Sequence, residues 1–96
     1  MFKVLTTETF DEELDLLRQQ KSMVARVKAI DKTVKHLANP RHPGLQTHEF
    51  TSLKGPGGEK VFEAYAQQNT PAAYRVFWHY GPNKNEITVI AFTPHP

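Results

Sequence analysis

The spacing of apolar residues divides the chain into a helical part and a β-strand part. Up to residue 40 the apolar positions recur every three or four residues, the period of a helix buried on one side. One stripe consists of Phe10, Leu14 and Leu17, and a second consists of Met23, Val27, Ile30, Val34 and Leu37. The two stripes predict a two-helix hairpin, which follows a short N-terminal strand at residues 2–6.

The ends of both predicted helices carry sequence signals. Thr9 with Glu12 fits a capping box, so the first helix is expected over residues 9–20. Ser22 is the expected cap of the second helix. The Asn39-Pro40 pair ends that helix, because the residue before a proline is disfavoured in the α region and proline has no amide hydrogen.

From residue 48 onwards the pattern becomes that of short strands. Residues 48–53 are expected to pair with residues 61–66, and residues 72–80 with residues 86–96. Strands that follow two helices favour an α+β fold, with an N-terminal strand and a two-helix hairpin packed on one face of a largely antiparallel sheet of about four to five strands. The length of 96 residues predicts a single domain, residues 1–96.

The strand at residues 72–80 carries the most informative polar residue of the chain. Alternation places Arg75, Phe77 and His79 on the side away from the predicted core, and this face is expected to be partly open. Arginine keeps its charge, so Arg75 needs an acidic partner or an anionic ligand. Glu63 on the preceding strand supplies the structural interpretation, a cross-strand ion pair, whereas a phosphate bound by the planar guanidinium supplies the functional one.

Composition and charge exclude several classes of protein and site. The chain has no cysteine, which rules out disulfides and thiolate metal sites. No apolar run is long enough for a membrane span and residues 1–5 lack the apolar region of a signal peptide, so a cytoplasmic protein is expected. Basic residues concentrate between residues 18 and 41, a distribution that suits either nucleic-acid phosphates or a solvated helix face.

The chain has five histidines, of which His79 and His95 are candidates for proton transfer. Histidine changes charge near neutral pH, and His79 and His95 both fall in the last predicted strand pair. No two histidines have the helical spacing found in zinc enzymes. No metal and no cofactor are therefore expected.

Two short motifs in the strand region have a counterpart in a known family. They are Leu53-Lys54-Gly55 and the strand Tyr74-Arg75-Val76-Phe77-Trp78. Together with the preceding strand and the two helices that end at Asn39-Pro40, they resemble the RelE/ParE superfamily of bacterial toxin–antitoxin toxins, over essentially the whole chain. The resemblance implies a toxin of a type II system, bound by a cognate antitoxin. RelE-like members cleave messenger RNA, usually on the ribosome.

The resemblance also implies roles for particular residues. In the RNA-cleaving members the arginine of the Tyr-Arg strand faces the scissile phosphate, which is Arg75 here, and His95 is the nearest match to a functional residue at the end of the last strand. The resulting hypothesis is metal-free transesterification: Glu63 draws the proton from a ribose 2′-hydroxyl and His95 protonates the leaving 5′-oxygen. His48 and Glu49 remain alternatives to Glu63 as the base.

One strand departs from RelE itself. Two positions that are often basic there are Glu63 and Tyr65 here, so the cationic cradle of that branch is missing. A ParE-like gyrase inhibitor and a non-catalytic protein-interaction module with the same fold are therefore kept as alternatives. If the chain is a nuclease, four further residues are expected to contact the RNA: Lys54, Arg41, Tyr65 and His79.

Overall fold

Five strands form one sheet with two helices packed on it in the computed structural model, which describes residues 1–67 and 73–94. In chain order the elements are β1 (Lys3–Thr6), α1 (Glu8–Arg18), α2 (Val24–His36), β2 (His48–Lys54), β3 (Lys60–Tyr65), β4 (Tyr74–Tyr80) and β5 (Glu86–Pro94). Single turns of 3-10 helix lie at Lys21–Met23 and Pro43–Leu45.

The sheet order is β1-β5-β4-β3-β2. Strands β2 to β5 form an antiparallel meander, whereas β1 pairs with β5 in parallel, with Lys3 opposite Glu86 and Thr6 opposite Val89. Parallel neighbouring strands need a long connection, and here both helices and strands β2 to β4 lie between β1 and β5 in the chain. The predicted α+β fold with a largely antiparallel sheet is confirmed.

Both helices begin at other residues than the sequence predicted. The cap of α1 is Thr7 rather than Thr9, because the Thr7 hydroxyl oxygen accepts a hydrogen bond from the Phe10 amide at 3.1 Å. The predicted Ser22 cap is also wrong: Ser22 lies within a 3-10 turn, and α2 starts at Val24 without a side-chain cap. The cap of α1 thus lies two residues earlier than expected, and this one residue separates α1 from β1.

The apolar stripes of the helices pack on one face of the sheet. Trp78 lies at the centre of that face and is completely buried. Phe10, Leu14, Val27, Ile30 and Leu37 are buried against it, and Met23 and Val34 pack at the margin. On β4, Tyr74, Val76 and Trp78 share this core face, as alternation predicted.

The opposite face of the sheet is less open than expected. Phe77 and His79 are each only 4% exposed, so the prediction of an open face is wrong for these two residues. The ring of Phe50 on β2 lies 4.9 Å from that of Phe77, centroid to centroid, and Val61 on β3 is fully buried. Apolar side chains therefore form a second, smaller cluster on the helix-free face, because burying them removes apolar surface from water.

Candidate active site on the helix-free face

Three strands bring a group of polar side chains together beside this second cluster. Antiparallel register places His48 of β2 opposite Glu63 of β3, and Tyr65 of β3 opposite Arg75 of β4. Side chains two positions apart on a strand share a face, so Glu63 and Tyr65 lie on the same side of the sheet. We call Glu63, His48, Tyr65 and Arg75 the Glu63 cluster.

Glu63 is the centre of this cluster. Its side chain is only 5% exposed, yet both carboxylate oxygens have partners. Oε2 accepts a hydrogen bond from Arg75 Nη1 at 2.8 Å, and Oε1 contacts His48 Nε2. The Tyr65 hydroxyl donates to Oε1 at 3.5 Å. A buried carboxylate is tolerated only when it is paired in this way, and here it is paired on both sides.

His48 is the member of the cluster that reaches solvent, with 51% of its side chain exposed. Its second ring nitrogen, Nδ1, lies 3.1 Å from the carbonyl oxygen of Gln46. Carboxylate and carbonyl oxygens only accept hydrogen bonds, so both contacts are hydrogen bonds when the imidazole carries a proton on each nitrogen. Gln46 adopts a left-handed conformation, with φ of 47°, to hold this carbonyl in place.

Arg75 lies in an aromatic slot. Its Cζ atom is 5.2 Å from the ring centroid of Phe50 and 5.1 Å from that of Phe77, distances at which a guanidinium is attracted by aromatic rings. The side chain is 16% exposed. Its Nε–H is buried and has no acceptor among the described residues, so one donor of the fork is unused.

The structure thus brings together some of the residues predicted from the sequence. Glu63, Arg75 and Tyr65 are neighbours, and the structural interpretation of Glu63 and Arg75 as an ion pair is confirmed. Phe50 was not predicted, although its position two residues after His48 places both side chains on one face of β2. Glu49, an alternative base, is opposite Phe62, whose neighbours belong to the core side.

Other predicted residues lie apart from the cluster. Lys54 is at the far end of β2, six positions from His48, or about 20 Å along an extended strand. Arg41 lines two cavities of about 410 and 440 Å³ together with Tyr80. These cavities are on the helix-bearing side, since Phe2 lines the smaller one and Trp78 the larger one. His79 is buried, and its Nδ1 lies 2.8 Å from the Tyr80 carbonyl oxygen.

The predicted acid His95 lies outside the described residues. Within residues 1–67 and 73–94, no group of three or more histidine and acidic side chains is placed to hold a metal ion. The same part of the chain contains no helix with the length and apolar character needed to cross a membrane.

Solved structures resemble the fold of this chain, whereas no protein-family model and no curated protein sequence matches it. A YoeB/ParE toxin from Agrobacterium tumefaciens aligns with a TM-score of 0.64 over 99% of this chain and 100% of that one, at 12% identity. Archaeal RelE, in a complex with RelB from Pyrococcus horikoshii, aligns with a TM-score of 0.55 over 97% and 93%, at 16% identity. The chain has the RelE/ParE toxin fold.

A third structure extends the comparison to another toxin. A metal-bound toxin from Helicobacter pylori aligns with a TM-score of 0.65 over 99% of this chain and 96% of that one, at 17% identity. The RelE/ParE fold therefore accounts for the whole meander and both helices. At sequence identities this low, the structural alignments show the fold of the chain alone. The activity has to be argued from the chain's own residues.

Proposed function

We propose that this chain is the toxin of a type II toxin–antitoxin system and a RelE-like endoribonuclease that cleaves messenger RNA on the ribosome, in the cytoplasm. The observation that carries the proposal is Arg75, a cation held in an aromatic slot with an unused Nε–H donor. A phosphate oxygen is the acceptor that such a planar fork of donors fits best. A carboxylate and an imidazole, the groups that acid–base chemistry needs, lie beside it.

The proposed reaction is an attack by a ribose 2′-oxygen on the adjacent phosphorus. The 2′-hydroxyl proton passes to Glu63 Oε1, which in the free protein contacts the exposed ring of His48, so this ring has to swing away from the carboxylate when the ribose binds. The bond between phosphorus and the 5′-oxygen breaks, and His95 gives a proton to that oxygen. Arg75 stabilises the charge that develops on the other phosphate oxygens. The products are a 2′,3′-cyclic phosphate and a 5′-hydroxyl end.

Substrate binding on this face requires Arg75 to become more exposed, because its unused Nε–H is buried in the free protein. In the free protein Glu63 occupies one side of the guanidinium, at 2.8 Å from Nη1. The scissile phosphate is proposed to bind at the remaining donors and to share the guanidinium with Glu63. Tyr65, whose ring lies 5.8 Å from that of His48, is placed to stack on a base next to the cleaved bond.

The same ion pair is also the observation that favours the alternative. A guanidinium that is already neutralised by a buried carboxylate is what a non-catalytic module, or a ParE-like gyrase inhibitor that keeps the fold, would show. In that case the Glu63 cluster stabilises the sheet and has no chemical role.

Mapping of RNA ends after induction in bacteria separates these functions. The nuclease predicts new 5′-hydroxyl ends within the coding regions of translated messages, in cells that stop growing. Growth arrest with intact messages and stalled replication would identify a gyrase inhibitor, and unimpaired growth would identify a non-catalytic module. The Arg75→Ala/Glu63→Gln variant, which lacks both charges of the ion pair and is expressed to the same level, is the matched control for the nuclease.

The proposed partner is a cognate antitoxin protein. A solved structure supports this partner: archaeal RelE, which has the fold of this chain, forms a complex with RelB. The product of a neighbouring small reading frame should co-purify with this chain and should suppress the new RNA ends when both are expressed. An adjacent product that neither binds the toxin nor suppresses the cleavage would contradict the assignment.

A further inference from the structure

A second group of cationic and imidazole side chains lines a cavity of about 190 Å³ at the C-terminal end of α2. The titratable side chains of its wall include Lys32, His36 and His42, and no carboxylate of the described residues lines it. Tyr65, which also contacts Glu63 and His48, forms another part of the wall. The cavity and the Glu63 cluster therefore meet at one side chain.

The polar side chains around this cavity are hydrogen-bond donors. His42 Nδ1 accepts a hydrogen bond from the Gly44 amide at 3.0 Å, so the neutral ring carries its proton on Nε2 and donates from there. The ring of His36 stacks on that of His42, with centroids 4.8 Å apart and planes at 24°. Lys32 is exposed and has no ion-pair partner among the described residues.

The helix dipole explains part of this arrangement. Cations in the last turn of a helix are stabilised by its last carbonyl groups, which accounts for His36 but not for Lys32, one turn earlier in α2. It does not account for His42, which follows Pro40 outside the helix and is folded back onto His36. An ammonium and two imidazoles around one cavity repel one another whenever the rings are protonated, and a bound anion removes this repulsion.

We propose that the Lys32–His36–His42 cavity binds a phosphate of the RNA strand, one that flanks the phosphate held by Arg75. Naming RNA as the ligand rests on the proposed function, whereas the preference for a phosphate follows from the donors of the cavity. The site holds the nucleotide beside the cleaved bond, and Tyr65 lies between the two phosphates. It fixes the position of the strand and takes no part in proton transfer.

Binding is tested with inorganic phosphate and with a 2′-O-methyl oligoribonucleotide, a strand that cannot be cleaved. The ring signals of His36 and His42 in NMR spectra should shift together and saturate with both probes. Lys32→Gln should weaken binding of the oligonucleotide about tenfold, as expected for the loss of a charged hydrogen bond. Lys35→Gln is the matched control, because Lys35 lies on the same helix, is exposed and does not line the cavity.

Kinetics and salt dependence test the role in cleavage. A Lys32→Gln/His36→Gln double variant should raise KM and leave kcat unchanged, and the slope of log affinity against log salt should decrease by about 0.7 for each phosphate that the variant no longer neutralises. Thermal unfolding of the same variant should match that of the parent. The proposed phosphate site is wrong if inorganic phosphate shifts the NMR ring signals of neither His36 nor His42. It is also wrong if Lys35→Gln weakens oligonucleotide binding as much as Lys32→Gln does.

The two proposals fail in different ways. A parent protein that cleaves no RNA, but binds the 2′-O-methyl strand at His36 and His42, would end the nuclease assignment and support the phosphate site. A parent protein that cleaves RNA, with variants that keep its KM, would support the nuclease and end the phosphate site.

Discussion

Glu63 and Arg75 form a buried ion pair, so a substitution of either residue changes the stability of the protein as well as any chemistry at the site. Removing one partner of a buried pair costs about 3–5 kcal/mol, and the lower end applies to Arg75, because Glu63 keeps its contacts with His48 and Tyr65 when Arg75 is removed. Removing both charges together is far less costly. A single alanine at Arg75 therefore mixes a loss of chemistry with a loss of stability.

Two variants separate these effects at Arg75. Arg75→Ala should lower the free energy of unfolding by about 3 kcal/mol, and Arg75→Ala/Glu63→Gln by much less. Both should cleave RNA at least about 100-fold more slowly than the parent protein, since each lacks the donor that meets the phosphate. Urea unfolding and RNA end mapping supply the two measurements. Because the double variant also lacks the proposed base, cleavage at the parent rate by the folded double variant would show that neither Arg75 nor Glu63 has a catalytic role.

His95 is predicted to affect the reaction without affecting the fold. His95→Gln should slow RNA cleavage by about 100-fold to 10⁴-fold, the usual contribution of a general acid. Its melting temperature should equal that of the parent protein. Deletion of Pro96 alone is the control, because it shortens the same segment and keeps the imidazole. A His95→Gln variant with parent activity would require another proton donor.

At the scale of elements, the turn between β2 and β3 depends on one glycine. Gly58 has a φ of 84°, a backbone conformation that residues other than glycine rarely adopt. A Cβ at this position would meet no atom within 4 Å. Gly58→Ala should therefore destabilise the protein by about 1 kcal/mol through backbone strain alone. Gly58→Asn should cost less, because asparagine tolerates the left-handed region. Urea midpoints of the three proteins test this order.

The same turn contains a group that makes stability depend on pH. Hydrogen bonds from the backbone amides of Glu59 itself and of Gly57 lower the pKa of the Glu59 carboxyl. Because the pKa of this carboxyl is lower in the folded than in the unfolded protein, the carboxylate stabilises the fold above its unfolded-state pKa. This stabilisation is lost as the pH falls through the folded-state pKa. Urea midpoints at about pH 7 and about pH 3 should therefore differ less for Glu59→Gln than for the parent protein. Equal differences would show that the turn does not respond to this carboxyl.

At the scale of the whole molecule, predictions from the sequence succeeded where the interactions were periodic and local. The two helical stripes, the meander and the core face of β4 all follow from spacing alone. The helix starts did not, because Thr7 and Thr9 are equivalent candidates until the end of β1 is fixed. Local geometry then selects one of them.

The candidate site was only partly predictable, because it depends on the register between strands. Strand alternation and the family resemblance identified Arg75, and Glu63 was its nearest acid. The contact of His48 with Glu63, and the burial of Phe77 under Phe50, follow from how β2 pairs with β3 and packs across the sheet. A one-residue shift in that pairing would have moved both side chains to the other face. The sequence pattern of an edge strand does not determine its register with the neighbouring strand.

The distribution of charge over the molecule yields a last prediction. The net charge is +2, but α1 is acidic and lies on the helix-bearing side, opposite the Glu63 cluster. Glu12→Gln/Glu13→Gln leaves 12 basic and 8 acidic residues and raises the net charge to +4. If net charge governed RNA binding, affinity would rise markedly.

We expect instead that this double variant binds the 2′-O-methyl oligoribonucleotide with less than about a twofold change in affinity at 0.15 M salt. The Debye length is then about 8 Å, so exposed charges farther apart than this are largely screened from one another. Lowering the salt to about 0.01 M extends the screening length to about 30 Å, and the variant should then bind more tightly than the parent protein. A large gain at the higher salt concentration would place the RNA near α1 rather than along the Glu63 cluster and the Lys32–His36–His42 cavity.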